Sequence, residues 1–223
     1  LTDAVPIRIW DLPTRVFHAA LAVLVTAALV TAKLGDDWMA WHLRCGEAVL
    51  TLLAFRWVWG LVGGRWSRFA SFLPSPKRLA HALRGRGGAQ ASAGHGALGA
   101  VSVWTFLLLL SLQVATGLVA DDDIATTGPL NSQVSRHVAR RASGWHAGWG
   151  ADLIMALIAL HLAAIAWYTV RRREPLLRAM WTGDKRLPAA TPASRDGIAP
   201  RLLALAIWLL AVAGVLVLLR LTG

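Results

Sequence analysis

The sequence predicts an all-α integral membrane protein with five spanning helices. Three observations carry that expectation. Of its 223 residues, 56% are hydrophobic and only 16% are charged. The mean hydropathy of +0.52 is high for a soluble domain. Five apolar stretches reach the about 20 residues needed to cross a hydrocarbon core about 30 Å thick.

The stretches run from Arg15 to Ala32, Met39 to Val62, His95 to Ala120, Gly144 to Val170 and Ala199 to Leu219. The first lacks a small-residue cleavage site and carries a histidine, so it reads as a retained helix rather than a signal peptide. The second is interrupted by His42, Arg44, Glu47 and Arg56. The fifth has no histidine, and its only charge is Arg201 at the start, so it is expected to face lipid or a partner. The Gly/Ala-rich run Gly85 to Gly99 and the segment Pro188 to Pro200 read as surface linkers. This divides the chain into a four-helix core, residues 1–186, and a linker with an extra C-terminal helix, residues 187–223.

The net charge of +11 does not point to nucleic acid, because the basic residues lie between apolar runs. They alternate in side. Arg8, Arg15, Arg65, Arg68, Lys77, Arg78, Arg84, Arg86, Arg171, Arg172, Arg173, Arg178, Lys185, Arg186 and Arg195 collect on one. The other has only Lys33, Arg136, Arg140, Arg141 and Arg220, with Asp36, Asp37 and the run Asp121 to Asp123. This bias places the N-terminus in the cytoplasm and the C-terminus outside. Tryptophans mark both boundaries: Trp38, Trp41, Trp145 and Trp149 outside; Trp57, Trp59, Trp66 and Trp167 inside.

Ionisable groups at membrane depth are expensive and usually functional. Four histidines fall inside the spans at paired depths. His18 and His161 lie near the cytoplasmic side on the first and fourth spans; His42 and His146 lie near the outer side on the second and fourth. Two imidazoles on different helices at each level are what two six-coordinate haems require. The helix-four pair is separated by fifteen residues, about 22 Å along the axis. Cys45 is the only cysteine, and no Cys-x-x-Cys-His attachment motif is present, so the haems would be b-type. Zinc fits poorly, since two histidines leave it short of ligands; only the outer pair has carboxylates nearby, Glu47 and Asp152. Small residues follow three of the histidines by one turn, at Ala22, Gly46 and Gly150, where a porphyrin can approach the backbone. That signal is weak in a chain this rich in Gly and Ala.

Haem propionates need cationic partners. Arg44 is placed to serve the outer haem, and Arg15, Arg56 and Arg65 the inner one; for Arg56 and Arg65, topology-setting and snorkelling are equally good readings. Glu47 is expected to pair with Arg44 at i, i+3, the other reading being a proton carrier. His95 is a candidate contact for a propionate or a quinone, although an interfacial role is favoured. His81 and His137 are read as solvated residues of polar loops.

Several motifs resemble those of the bacterial cytochrome b561 and hydrogenase b-type cytochrome family. They are Ile7-Arg8-Ile9-Trp10-Asp11-Leu12-Pro13-Thr14-Arg15-Val16-Phe17-His18, Trp41-His42-Leu43-Arg44-Cys45-Gly46, Phe55-Arg56-Trp57-Val58-Trp59-Gly60, Gly94-His95-Gly96-Ala97-Leu98-Gly99 and Ala159-Leu160-His161. The resemblance spans about residues 5 to 186. It implies a four-helix di-haem bundle with bis-histidine ligation, on positions that match His18, His42, His146 and His161. Two departures stand out. The helix-four histidines are more often fourteen residues apart in this family, and the extra residue here turns one ring by about 100° unless a π-bulge absorbs it. The fifth helix lies beyond the family core.

The resemblance further implies electron transfer across a bacterial inner membrane. Quinone or quinol would react near one haem, and a periplasmic c-type cytochrome or hydrogenase-like subunit would dock at the other. The alternative is a stand-alone superoxide:quinone oxidoreductase, with Arg136, Arg140 and Arg141 as a basic funnel. Either the acidic run Asp121 to Asp123 or this basic cluster would steer a charged partner.

Overall fold

The computed structural model describes residues 4–84, 93–122 and 126–222. The expected Asp123, Arg86 and most of the Gly85 to Gly99 run lie outside the described residues. Five helical stretches are long and apolar enough to cross a membrane. They are α1 (Leu12–Leu34), α2 (Met39–Val62), α4 (Ala97–Leu118), the stretch formed by α5 (Arg136–Gly144), a π-helical turn (Trp145–Trp149) and α6 (Gly150–Val170), and α8 (Ile198–Thr222). Short helices α3 (Pro76–Leu83) and α7 (Leu176–Thr182) and two strands, β1 (Ala4–Arg8) and β2 (Asp184–Pro188), complete the set. Three expectations shift. His95 precedes α4 rather than opening it, and His81 and His137 sit exposed on α3 and α5 rather than in loops. The short helices, of eight and seven residues, are too short to be seen by a search for spanning stretches.

The chain forms two compact units, and each spanning helix supplies residues to both. The first contains residues 1–17, 56–105 and 160–207. At its centre is Asp11, which is fully buried. Its carboxylate caps α1 by accepting the Thr14 N–H at 2.9 Å, and it also accepts from Trp59 Nε1 at 3.3 Å, Gly64 N–H at 3.2 Å and Ser67 Oγ at 2.6 Å. Thr14 Oγ1 in turn donates to Ser67 Oγ at 2.7 Å. One side chain thus ties the start of α1 to the end of α2 and the turn after it.

The strands pair antiparallel, from Ala4 opposite Pro188 to Arg8 opposite Asp184. Two strands alone are marginal. Here Ile9, Trp10 and Ala179 form a buried cluster beside them, flanked by Ile7, Trp66 and Leu187. Gly183 makes the return possible. Its φ of +89° caps α7, and its carbonyl accepts from Ile9 and Trp10 N–H at 2.9 and 3.0 Å.

The segment after β2 is anchored rather than a free surface linker. Buried Ser194 donates to the Ile9 carbonyl at 2.7 Å, and Trp66 Nε1 donates to the Pro192 carbonyl at 2.8 Å. Asp196 accepts from Leu12 N–H at 3.0 Å and pairs with Arg8 and Arg201, each at 3.2 Å.

The second unit contains residues 18–55, 106–159 and 208–223. Cys45, Val49, Leu52, Leu53, Leu107, Leu110 and Ile154 supply buried apolar surface. Ser135 caps α5, which buries Ala139 and Ala142 and exposes Arg136, Arg140 and Arg141. Ser143 pins the preceding loop by bonding both the N–H and the carbonyl of Asp121.

Replacing Asp11 with alanine removes the cap and strands three further donors, so it should cost about 3 kcal/mol or more. The check is the unfolding midpoint in detergent. Asp196 gives a pH signature. Burial opposes its ionisation, but the hydrogen bonds from Arg201 and Leu12 and the charges of Arg201 and Arg8 prevail and hold its carboxyl below the ordinary range. A depressed folded-state value stabilises fully above the unfolded one and is lost as pH falls towards the folded one. Wild type and Asp196→Asn should therefore converge in stability below about pH 4. An unchanged gap down to pH 2 would contradict this.

Candidate functional site

His42 lies in the first turns of α2, and His146 lies in the π-helical turn leading into α6. Their ring centres are 5.8 Å apart, with planes inclined at 80°. Each ring is held by a carbonyl of another helix. His42 Nδ1 contacts the Ala28 carbonyl of α1 at 2.9 Å, and His146 Nδ1 contacts the Gln113 carbonyl of α4 at 2.8 Å. A carbonyl oxygen only accepts, so each Nδ1 carries the proton. In the neutral rings Nε2 then holds the free lone pair, the form that ligates a metal.

The spacing suits one metal between two imidazoles. A nitrogen of each ring about 2 Å from a shared metal would leave the ring centres up to about 6 Å apart. Among the described residues, no three His, Cys, Asp or Glu side chains gather as a metal site. The donor set is thus two histidines, which suits an iron whose other ligands come from a porphyrin. Room for a flat ring is uneven. A Cβ at Gly46, one turn after His42, would meet nothing within 4 Å. Gly150 is instead closed off by Gln113 Oε1 and Trp145.

The π-helical turn is the feature that the fifteen-residue spacing calls for. Gly150 N–H bonds the Trp145 carbonyl, five residues back, and Gly148 leaves helical φ/ψ. A π-turn takes up one residue more than an α-turn, which is the amount by which this spacing exceeds fourteen.

His18 on α1 and His161 on α6 are both half-buried. Arg56 is 3% exposed. Its Nη2 donates to the Ser67 carbonyl at 3.1 Å, its guanidinium lies 4.8 Å over Phe69, and its Nη1 has no hydrogen-bond partner among the described residues. Arg15 donates to the Thr182 carbonyl, and its Nε is likewise buried and unpaired. Arg65 is exposed and lies over Trp66. The expected Arg44–Glu47 pair is not formed: Arg44 reaches back over Trp41, 5.1 Å from the ring centre, where cation–π attraction replaces the ion pair. His95 is wedged between Trp10 and Phe72, at 4.6 and 4.4 Å between ring centres.

Two residues escaped the sequence reading. Lys185 donates to the Ala93 and Gly94 carbonyls at 3.1 and 3.3 Å, and burial pulls its ammonium below the ordinary lysine range against the charge of Glu174. Gln113 contacts His146 through both its backbone and its side chain. Its signal was present: a lone amide in the apolar run of α4.

The sequence pattern of the prokaryotic cytochrome b561 family matches residues 9–183. The chain belongs to that family. It is therefore a multi-pass membrane cytochrome that carries b-type haem and transfers electrons across the bilayer. The matched region of this cytochrome b561 contains His18, His42, His146 and His161 and ends before α8. No curated protein and no solved structure matches it.

Proposed function

We propose that this cytochrome holds two b-type haems and links the quinone pool to a periplasmic redox partner; His42 and His146 would hold one haem, and His18 and His161 the other. The observation that carries the reading is the facing pair of rings, both tied through Nδ1 and both leaving Nε2 free. A haem held by two imidazoles would supply one-electron redox chemistry at this position. The inner pair rests on the matched depth of its two histidines in the sequence.

Arg56 is suited to neutralise a propionate, because its buried Nη1 is a donor without an acceptor. Arg15 offers a second such donor, and Arg44 one on the outer side. His95 and Lys185 are candidates to meet a quinone head group from the cytoplasmic side. The basic bias of the loops supports a cytoplasmic N-terminus. On the outer side, the exposed arginines of α5 sit in the helix leading directly to His146, so the periplasmic partner, a c-type cytochrome or a hydrogenase-like subunit, would present an acidic face. The same arginines keep superoxide as the second reading, since they would attract that anion.

Wild type should contain two haems per chain, seen as b-type α-bands in reduced-minus-oxidised spectra. His42→Ala and His161→Ala should each remove about half of that signal, because each is assigned to a different haem. Unchanged haem content in all four single histidine variants would sink the ligand assignment. Failure of superoxide to reduce the haems in stopped flow would dispose of the second reading. For orientation, an export-dependent reporter fused after residue 222 should be active, and one fused after residue 84 should be silent.

A further inference from the structure

The π-helical turn creates a hydrogen-bonding problem beside the outer histidine. In an α-helix the Gly150 N–H would bond the His146 carbonyl; here it bonds the Trp145 carbonyl instead. The His146 carbonyl therefore loses its usual partner inside a spanning segment, where lipid offers no substitute. Gln113 supplies one. Its side-chain Nε2 donates to the His146 carbonyl at 2.8 Å, while its own carbonyl accepts from His146 Nδ1 at 2.8 Å. The two bonds bracket one residue from both ends.

The shape of α4 completes the bracket. A Cβ at Gly117, one turn after Gln113, would lie 2.5 Å from His146 Cε1 and 2.9 Å from Nδ1. The imidazole is thus seated against bare backbone. A side chain at Gly150 would collide with Gln113 Oε1, so glycine at this position leaves the room that the amide occupies. Gln113 Oε1 and Trp145 Nε1 are buried without hydrogen-bond partners among the described residues, and both adjoin the same Gly150 position. The amide is accordingly held by what its nitrogen does.

We infer that Gln113, on the histidine-free helix α4, is a positioning residue for the outer haem. Its side-chain amide stabilises the π-helical turn and so sets the direction of Nε2, while its backbone carbonyl holds His146 in the Nδ1–H form, with Gly117 as the seat of the ring. The inference rests on His146 being a haem ligand. It goes beyond that assignment by giving α4 a defined part in tuning one haem and not the other. A ligand ring that donates through Nδ1 is more basic at Nε2, and its orientation about the iron–nitrogen axis alters both the potential and the low-spin ferric spectrum.

The test uses the full chain with haem bound, titrated potentiometrically and examined by electron paramagnetic resonance in the ferric state. Gln113→Met keeps the bulk and removes the donor. Gly117→Ala removes no donor or acceptor and presses a methyl on the ring. Both variants should retain two haems, shift the midpoint potential and the low-field g value of one haem, and leave the other unmoved. The haem that shifts should be the one lost in His42→Ala. If Gln113→Met fails to fold, Gly117→Ala decides. Unaltered potentials and g values for both haems in the variants that fold would overturn the inference while leaving the ligand assignment standing. A wild type that lacks the haem assigned to His42 and His146 would overturn both. Equal shifts at the two haems would show a general structural role and likewise overturn it.

Discussion

Hydrocarbon offers no hydrogen bonds, so a polar group carried into the bilayer must find its partner within the chain or on a bound group. Asp11, buried just ahead of the first span, and Arg56, His42 and His146, within the spanning stretches, each answer this constraint differently. Asp11 is met by four donors, which makes it a structural centre. Arg56 is only half answered: one amino group is bonded and the other is free to serve a bound anion. The two outer histidines are answered on one nitrogen each. What is left over is the pair of lone pairs that an iron would take. On the proposed assignment, the structural Asp11 is set apart from the other three by whether its bonding capacity is exhausted.

The division of labour among helices follows from the same accounting. The helices that carry the outer histidines do not hold the rings by themselves. The Nδ1 atoms are fixed by carbonyls of α1 and α4, so the two facing rings draw on four helices. Backbone carbonyls suit that task because they accept without ambiguity and force one tautomer. A side-chain carboxylate in their place would bring an uncompensated charge into the membrane.

The elements outside the spans serve a different purpose. Arg8 links β1 to β2 and to Asp196 through two ion pairs, while Ser194 and Trp66 fasten the segment leading to α8. These contacts join residues between 126 and 188 positions apart. They give the extra C-terminal helix a firm connection to the family core, although the sequence there reads as polar and linker-like.

Much was legible from sequence because bilayer physics writes itself into composition. About 20 apolar residues make a span whatever they pack against, and α2 was read to its end residues from this alone. The four histidines stood out because a polar group at membrane depth is conspicuous, and a π-bulge was suggested by comparing their fifteen-residue spacing with the fourteen more usual in the family they resemble. The remainder required the fold. The β1–β2 pairing joins segments at opposite ends of the chain, and no local pattern announces it. Arg44 turned to Trp41 rather than Glu47, a choice set by side-chain direction and not by spacing. Gln113 was visible as an isolated amide, but its partner lies thirty-three residues away on another helix. The sequence by itself determined which groups enter the membrane, because that depends on residue type and run length. Only the tertiary structure decided which of them are satisfied, because a hydrogen bond depends on where another helix places its carbonyl.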